Sequence, residues 1–181
     1  REQFIPFIEL IKKCSVQKEL FLEDDYRTQA QDKNQRIFYP LNEKTLFNIN
    51  QNFRIFTKNL KKEEKEINTK GRIFKINNFY QGVARFNFKE LCDQNLGAED
   101  YLEIAKVSKF IVIENIPQFN DINSNQQLRF ITLIDIIYDK NIPIAITANQ
   151  NLDQFSSAKS LEKEFKRTTS RLYELTSKDY K

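Results

Sequence analysis

The segment from Phe110 to Thr147 constrains the fold more than any other. It reads FIVIE, then NQQLRFITLIDIIYD, then IPIAIT. The two outer runs are apolar without alternation, the pattern of strands buried on both faces. Between them only Arg129, Thr132, Asp135 and Asp139 make a polar stripe, so that helix is covered on more than one side. Two buried strands joined by a helix form a βαβ unit, which requires parallel pairing and a right-handed crossover. The fold class is therefore α/β, with a sheet that is at least partly parallel.

The rest of the chain is read around this unit. Residues 2–13, EQFIPFIELIKK, put Phe4, Phe7, Ile8 and Ile11 on one helical face and end on two lysines, where a helix dipole favours cations. SVQKELFL alternates and predicts a strand. EDDYRTQAQDKNQ predicts a loop, and RIFYP a short strand closed by Pro40. Leu46, Ile49, Phe53 and Phe56 recur at spacings of three and four and predict a helix within residues 41–60. The charge run KKEEKEINTK, residues 61–70, predicts a solvated helix end or linker. GRIFKINNFYQGVARFNF predicts paired strands, Arg72–Asn77 and Tyr80–Phe88, around a turn at the two asparagines. KELC and GAEDYLEIAKV predict short helices. A last helix begins near Ala158 and turns Phe165, Leu172 and Leu175 inward.

Several absences limit the chemistry. The chain has no His, which removes the commonest general base, the Ser-His-Asp triad and most zinc sites. Gly71, Gly82 and Gly97 stand in neither G-x-x-x-x-G-K-[ST] nor G-x-G-x-x-G, so these residues hold no glycine-rich phosphate cradle. Cys14 and Cys92 are too few for a disulfide framework and predict buried thiols in a reducing compartment. No run approaches the ~18 apolar residues of a membrane span, which predicts a soluble, intracellular chain. With 16 Phe and no Trp, phenylalanine and isoleucine must fill the core. The chain also lacks Met, and Arg1 opens directly into an amphipathic run, so the sequence reads as a piece of a longer protein.

Three constellations bear on function. In open parallel sheets, ligands bind beyond the carboxyl ends of the strands. Here those ends carry Glu114-Asn115 and Thr147-Ala148-Asn149. An acid closing one strand beside a polar residue closing its neighbour is the layout of P-loop ATPases; polar residues at ordinary turns give the same pattern. The second constellation is Arg167 and Arg171, i,i+4 neighbours in a chain where lysine outnumbers arginine about two to one. Their like charges either find Glu164 and Glu174 on the same helix or meet a phosphate, which arginine clamps bidentately. The third is the mixture of aromatics and bases in GRIFKINNFY, which faintly suggests base stacking. The same aromatics are needed for a core without Trp, and 25 acids interleave with 29 bases, so nucleic acid is disfavoured as a partner.

In order along the chain, GVARFNFKELC, LGAEDYLEIAK, IPQF, RFITLIDIIYDKNI and RTTSRLYELTSKDY resemble the C-terminal part of the ZapE/AFG-like ATPase family. The opening REQFIPFIELIKK and LEDDYR are similar to the segments that follow the ATPase core in that family. The resemblance spans nearly the whole chain. It implies a partial P-loop NTPase architecture of AAA+ type, with the βαβ unit joined to a β-hairpin and helical region. It implies an enzyme that hydrolyses ATP with Mg²⁺ and that, like related ATPases, assembles as a homo-oligomer. Division-ring partners in the bacterial cytoplasm, or client proteins in mitochondria, follow for the two branches of the family. Residues 1–60 would be the end of the ATPase core with the strand and helix after it, and residues 61–181 the C-terminal α/β region. The phosphate loop, the magnesium-binding strand and the sensor strand would precede Arg1, so this piece would be inactive alone. The family places Arg1 just after its sensor region, where related ATPases position an arginine toward a neighbouring subunit's nucleotide. Arg167 and Arg171 fall on its R-T-x-S-R-L motif. FIVIENIP departs from the aspartate expected after that strand, because Asn115 stands there. The rival expectation is a non-enzymatic interaction module that docks partners through the sheet and the charged 61–70 segment.

Overall fold

The computed structural model describes residues 35–69 and 71–180. The helix expected over residues 2–13, the strand SVQKELFL, the loop after it, Arg1 and Cys14 lie outside the described residues. The elements in chain order are β1 (Ile37–Phe38), α1 (Glu43–Thr57), β2 (Glu63–Thr69), β3 (Arg72–Tyr80), β4 (Val83–Asn87), α2 (Phe88–Cys92), α3 (Ala98–Val107), β5 (Phe110–Ile116), α4 (Ser124–Asp139), β6 (Ile144–Ala148) and α5 (Glu162–Thr176). Single 3₁₀ turns stand at Asp121–Asn123, Leu152–Gln154 and Lys159–Leu161.

The six strands form one sheet in the order β1-β6-β5-β4-β3-β2. β1, β6, β5 and β4 run parallel, and β3 and β2 extend the sheet as antiparallel neighbours. The fold is thus α/β with a mixed sheet, compatible with a partial P-loop NTPase architecture. The βαβ unit is β5–α4–β6, as the apolar runs require, with Ile111 opposite Ile144 and Ile113 opposite Ile146. β1, from before residue 61, lies in one sheet with the strands that follow it, α1 packs on that sheet, and the described residues fall in a single compact unit.

Alternation along the strands sends side chains to two different layers. Ala84, Phe86, Ile111, Ile113, Ile144 and Ile146 face the layer of α2 to α5, where Phe88, Phe119, Phe130 and Phe165 meet with ring centroids 5.3–5.8 Å apart. Val83, Phe110, Val112 and Ala145 face the opposite way and pack under Ile49 and Phe53 of α1. The absence of Trp is met as expected, by Phe and Ile.

Three local expectations are corrected. Residues 61–70 are not a helix end or linker: Glu63–Thr69 is the edge strand β2, with Ile67 and Thr69 buried and the acids in water. A charged, solvated edge is how a sheet avoids pairing with other chains, and its acids mask the alternation. The hairpin turns at Gln81-Gly82, not at Asn77-Asn78, which lie inside β3. Both turn residues have positive φ, 47° and 102°, as a tight hairpin turn demands, and only glycine adopts the second without strain. In α1 the inner face is Thr45, Ile49 and Phe53; Leu46 is 54% exposed and Phe56 43% exposed. No helix among the described residues is long and apolar enough to cross a membrane.

Candidate functional site

α1 lies on one face of the sheet and α2 to α5 on the other, so the connections leave β1 and β6 toward opposite faces. A ligand crevice is expected where neighbouring parallel strands diverge in this way, beyond their carboxyl ends. A crevice of about 240 Å³ is found there, lined by Leu41, Asn42, Thr45, Leu46, Ile49, Glu114, Asn115 and Thr147. That volume falls below the roughly 300–1,000 Å³ usual for small-molecule sites.

Strand alternation places Glu114 and Thr147 on the α1 side, the first sharing a face with Phe110 and Val112 and the second with Ala145. The structure thus brings together the two strand ends read from the sequence. Asn115 follows in a left-handed conformation, φ 61°, where the β5–β6 register shifts, and its N–H donates to Thr147 Oγ1 at 2.8 Å. Above them, Asn42 caps α1 by accepting from Thr45 N–H at 2.8 Å, and the Thr45 hydroxyl donates to the Pro40 carbonyl at 2.7 Å.

Glu114 is held by Arg85 of β4. Nε donates to Oε2 at 2.7 Å and Nη2 to Oε1 at 2.6 Å, with both side chains about 15% exposed. Arg85 Nη2 also donates to Asn50 Oδ1 of α1 at 2.8 Å, and its guanidinium lies 4.9 Å from the centre of the Phe53 ring. The forked, nearly dry pair is a strong charge-assisted contact that fixes α1 over the strand ends.

These residues do not fit a magnesium-bound triphosphate. The Thr45 N–H at the head of α1 already has the Asn42 cap, the Thr45 hydroxyl is committed to Pro40, and the Glu114 carboxylate is neutralised by Arg85. Three of the crevice walls are the apolar Leu41, Leu46 and Ile49. Among the described residues no group of three acidic, Cys or His side chains could hold a metal ion.

The arginine pair lies elsewhere, on α5 against α4. Arg167 Nη2 donates to Asp135 Oδ2 at 2.8 Å, and Arg171 Nη1 donates to Asp135 Oδ1. One carboxylate on the neighbouring helix therefore serves both guanidinium groups, while Glu174 accepts from the Tyr138 hydroxyl at 2.9 Å. Arg171 also lies 4.7 Å from the centre of the Tyr138 ring. Its side chain is 21% exposed, against 57% for Arg167.

Thr45 and Arg85 escape a motif search. The signal for Thr45 is Lys44-Thr45 at the head of a helix that follows a short strand, which no glycine advertises. The signal for Arg85 is a lone arginine inside the apolar strand VARF.

The model of the AFG1-like ATPase family matches residues 1–181. Lactation elevated protein 1 homolog B of Danio rerio is 32% identical over 157 residues, which cover 85% of this chain and 31% of that protein. The cell division protein ZapE of Escherichia coli K12 is 22% identical over 181 residues, covering 99% of this chain and 48% of that protein. The chain thus spans from about a third to about half of the length of these relatives. No solved structure matches it.

Proposed function

We propose, from the premise that this chain belongs to the AFG1-like ATPase family, that it is the C-terminal portion of an enzyme that hydrolyses ATP with Mg²⁺. The phosphate loop and the magnesium-binding strand belong, on this reading, to the part of the complete protein outside these residues, and this portion is inactive by itself. The observation that carries the proposal is the family match along the whole chain. The missing glycine cradle agrees with it. The complete enzyme works in the cytoplasm on the division apparatus if its host is bacterial, and in mitochondrial protein quality control if its host is eukaryotic, as an assembly of identical subunits. The similarity to the cell division protein ZapE supports the first branch.

Arg1, Arg167 and Arg171 are the arginines proposed to face nucleotide or a subunit boundary. Arg167 suits such a part best among the two described, because its side chain is more than half exposed and shares Asp135 with Arg171, which leaves the cluster around that carboxylate positive. The test is ATP turnover and assembly of the complete protein carrying Arg167→Ala or Arg171→Ala. A fall in turnover with normal assembly is expected for at least one. Wild-type turnover in both, in folded and assembled protein, would remove the role.

A second reading, a non-enzymatic docking module, is favoured by one observation: Glu63, Glu64 and Glu66 of β2 are exposed together, a charged surface for side-chain contacts though not for strand pairing. Partner binding that persists unchanged with and without ATP, in a complete protein that does not turn it over, would establish that reading instead.

A further inference from the structure

We infer that the described residues form a second nucleotide-type core, one whose triphosphate site is closed by its own side chains. That it is the second such core rests on the proposed function. That it is closed rests on the crevice alone.

The connectivity is that of a phosphate-binding unit. A parallel strand, β1, leads through residues 39–42 into a helix that opens Glu43-Lys44-Thr45. A phosphate loop ends in the same way, on a Lys followed by Ser or Thr at the head of a helix, the lysine serving the phosphates and the hydroxyl the magnesium. Glu114 stands near the carboxyl end of the strand two places from β1, and Thr147 near that of the strand between them, both on the α1 side. These are the positions of the metal-serving acid and its polar neighbour.

The Thr45 N–H, the Thr45 hydroxyl and the Glu114 carboxylate are each taken by the chain. With Lys44-Thr45 at the end of the loop motif, its two glycine positions fall on Phe38, inside β1, and Glu43, the first residue of α1. A phosphate needs close approach to bare backbone N–H groups, and neither residue allows it. Asn42 supplies the oxygen that a phosphate would bring to Thr45 N–H. Pro40 takes the hydroxyl that would meet a metal. The Arg85 guanidinium gives Glu114 the positive charge that a divalent cation would give it, and does so permanently. The crevice keeps the layout of a nucleotide site while holding its counter-ions within the fold. Such a core has no nucleotide cycle of its own.

The test is a titration of Mg²⁺-ATP into the 181-residue chain and, in parallel, into the complete protein by equilibrium dialysis. No saturable binding to the chain and a single nucleotide per complete protein are expected. Saturable binding to the chain that Thr45→Val abolishes, with melting unchanged, would overturn the inference. Two nucleotides per complete protein, one lost in Thr45→Val, would do the same. Binding to the chain that survives Thr45→Val places the nucleotide outside the crevice and sustains the inference. A complete protein that binds none would defeat the proposed enzyme while leaving the crevice closed as described.

Discussion

Arg85 and Glu114 face each other across neighbouring parallel strands with two parallel hydrogen bonds, 2.7 and 2.6 Å long. Breaking a mostly covered pair strands one charge, so Arg85→Ala is expected to cost about 1.5–3 kcal/mol. Adding Glu114→Gln in the same chain should recover part of that loss, because no uncompensated carboxylate remains. Urea unfolding of the two single variants and the double variant checks this; strictly additive losses would mean the pair is not coupled.

Arg36 closes the far edge of the sheet. Its Nε donates to the Ile144 carbonyl at 3.1 Å, and Nη2 reaches the carbonyls of Leu175 at 3.3 Å and Ser177 at 2.5 Å, where α5 ends. A charged donor on orphan helix carbonyls contributes about 1.5–3 kcal/mol. Arg36→Ala should therefore lower the melting temperature clearly. Arg36→Lys should restore less than half of the loss, since one ammonium cannot span the same acceptors.

The two positive-φ glycines should differ. A Cβ on Gly82, at φ +102°, would come within 3.1 Å of Lys109 Cγ and Cδ, whereas a Cβ on Gly71, at φ +79°, meets nothing within 4 Å. Gly82→Ala is expected to cost roughly 1–3 kcal/mol from backbone strain and crowding together, and more than Gly71→Ala. Equal melting temperatures for the two variants would contradict this.

Cys92 is fully buried, and burial pushes its thiol well above its ordinary value of 9.0. Burial likewise raises Tyr101, whose hydroxyl donates to the Leu91 carbonyl at 2.9 Å. Groups raised on folding keep the folded state favoured below their unfolded pKa values, and this contribution is lost as pH rises above them. Stability should hold to about pH 8.5 and fall beyond it as the unfolded thiol ionises. Cys92→Ala should flatten that fall while lowering stability at neutral pH. A thiol reagent should react with Cys92 only as fast as the fold opens.

On α5, the exposed arginine and the covered one should part company. Arg171 packs on Tyr138 and is largely covered, so Arg171→Ala should cost about 1–2 kcal/mol. Arg167→Ala, in water, should stay within about 0.5 kcal/mol. Denaturant midpoints measure both, and the contrast keeps a loss of turnover in Arg167→Ala free of any folding effect.

The amino-acid sequence by itself determined the β5–α4–β6 unit, because strands buried on both faces need uninterrupted apolar runs and a covered helix needs apolar residues almost all round. It also determined the inner face of α5, where Phe165, Leu172 and Leu175 are buried as their spacing requires. Tertiary structure alone decided three further features. β2 is a strand because β3 pairs with it, although its acids carry no strand pattern. Asp135 became the partner of Arg167 and Arg171 because α4 packs against α5 across 32 residues or more of sequence. Arg85 found Glu114 because parallel pairing sets β4 beside β5. Patterns of burial are local and periodic, so a sequence carries them openly. Which charge meets which depends on the contacts between distant elements, and those exist only once the chain has folded.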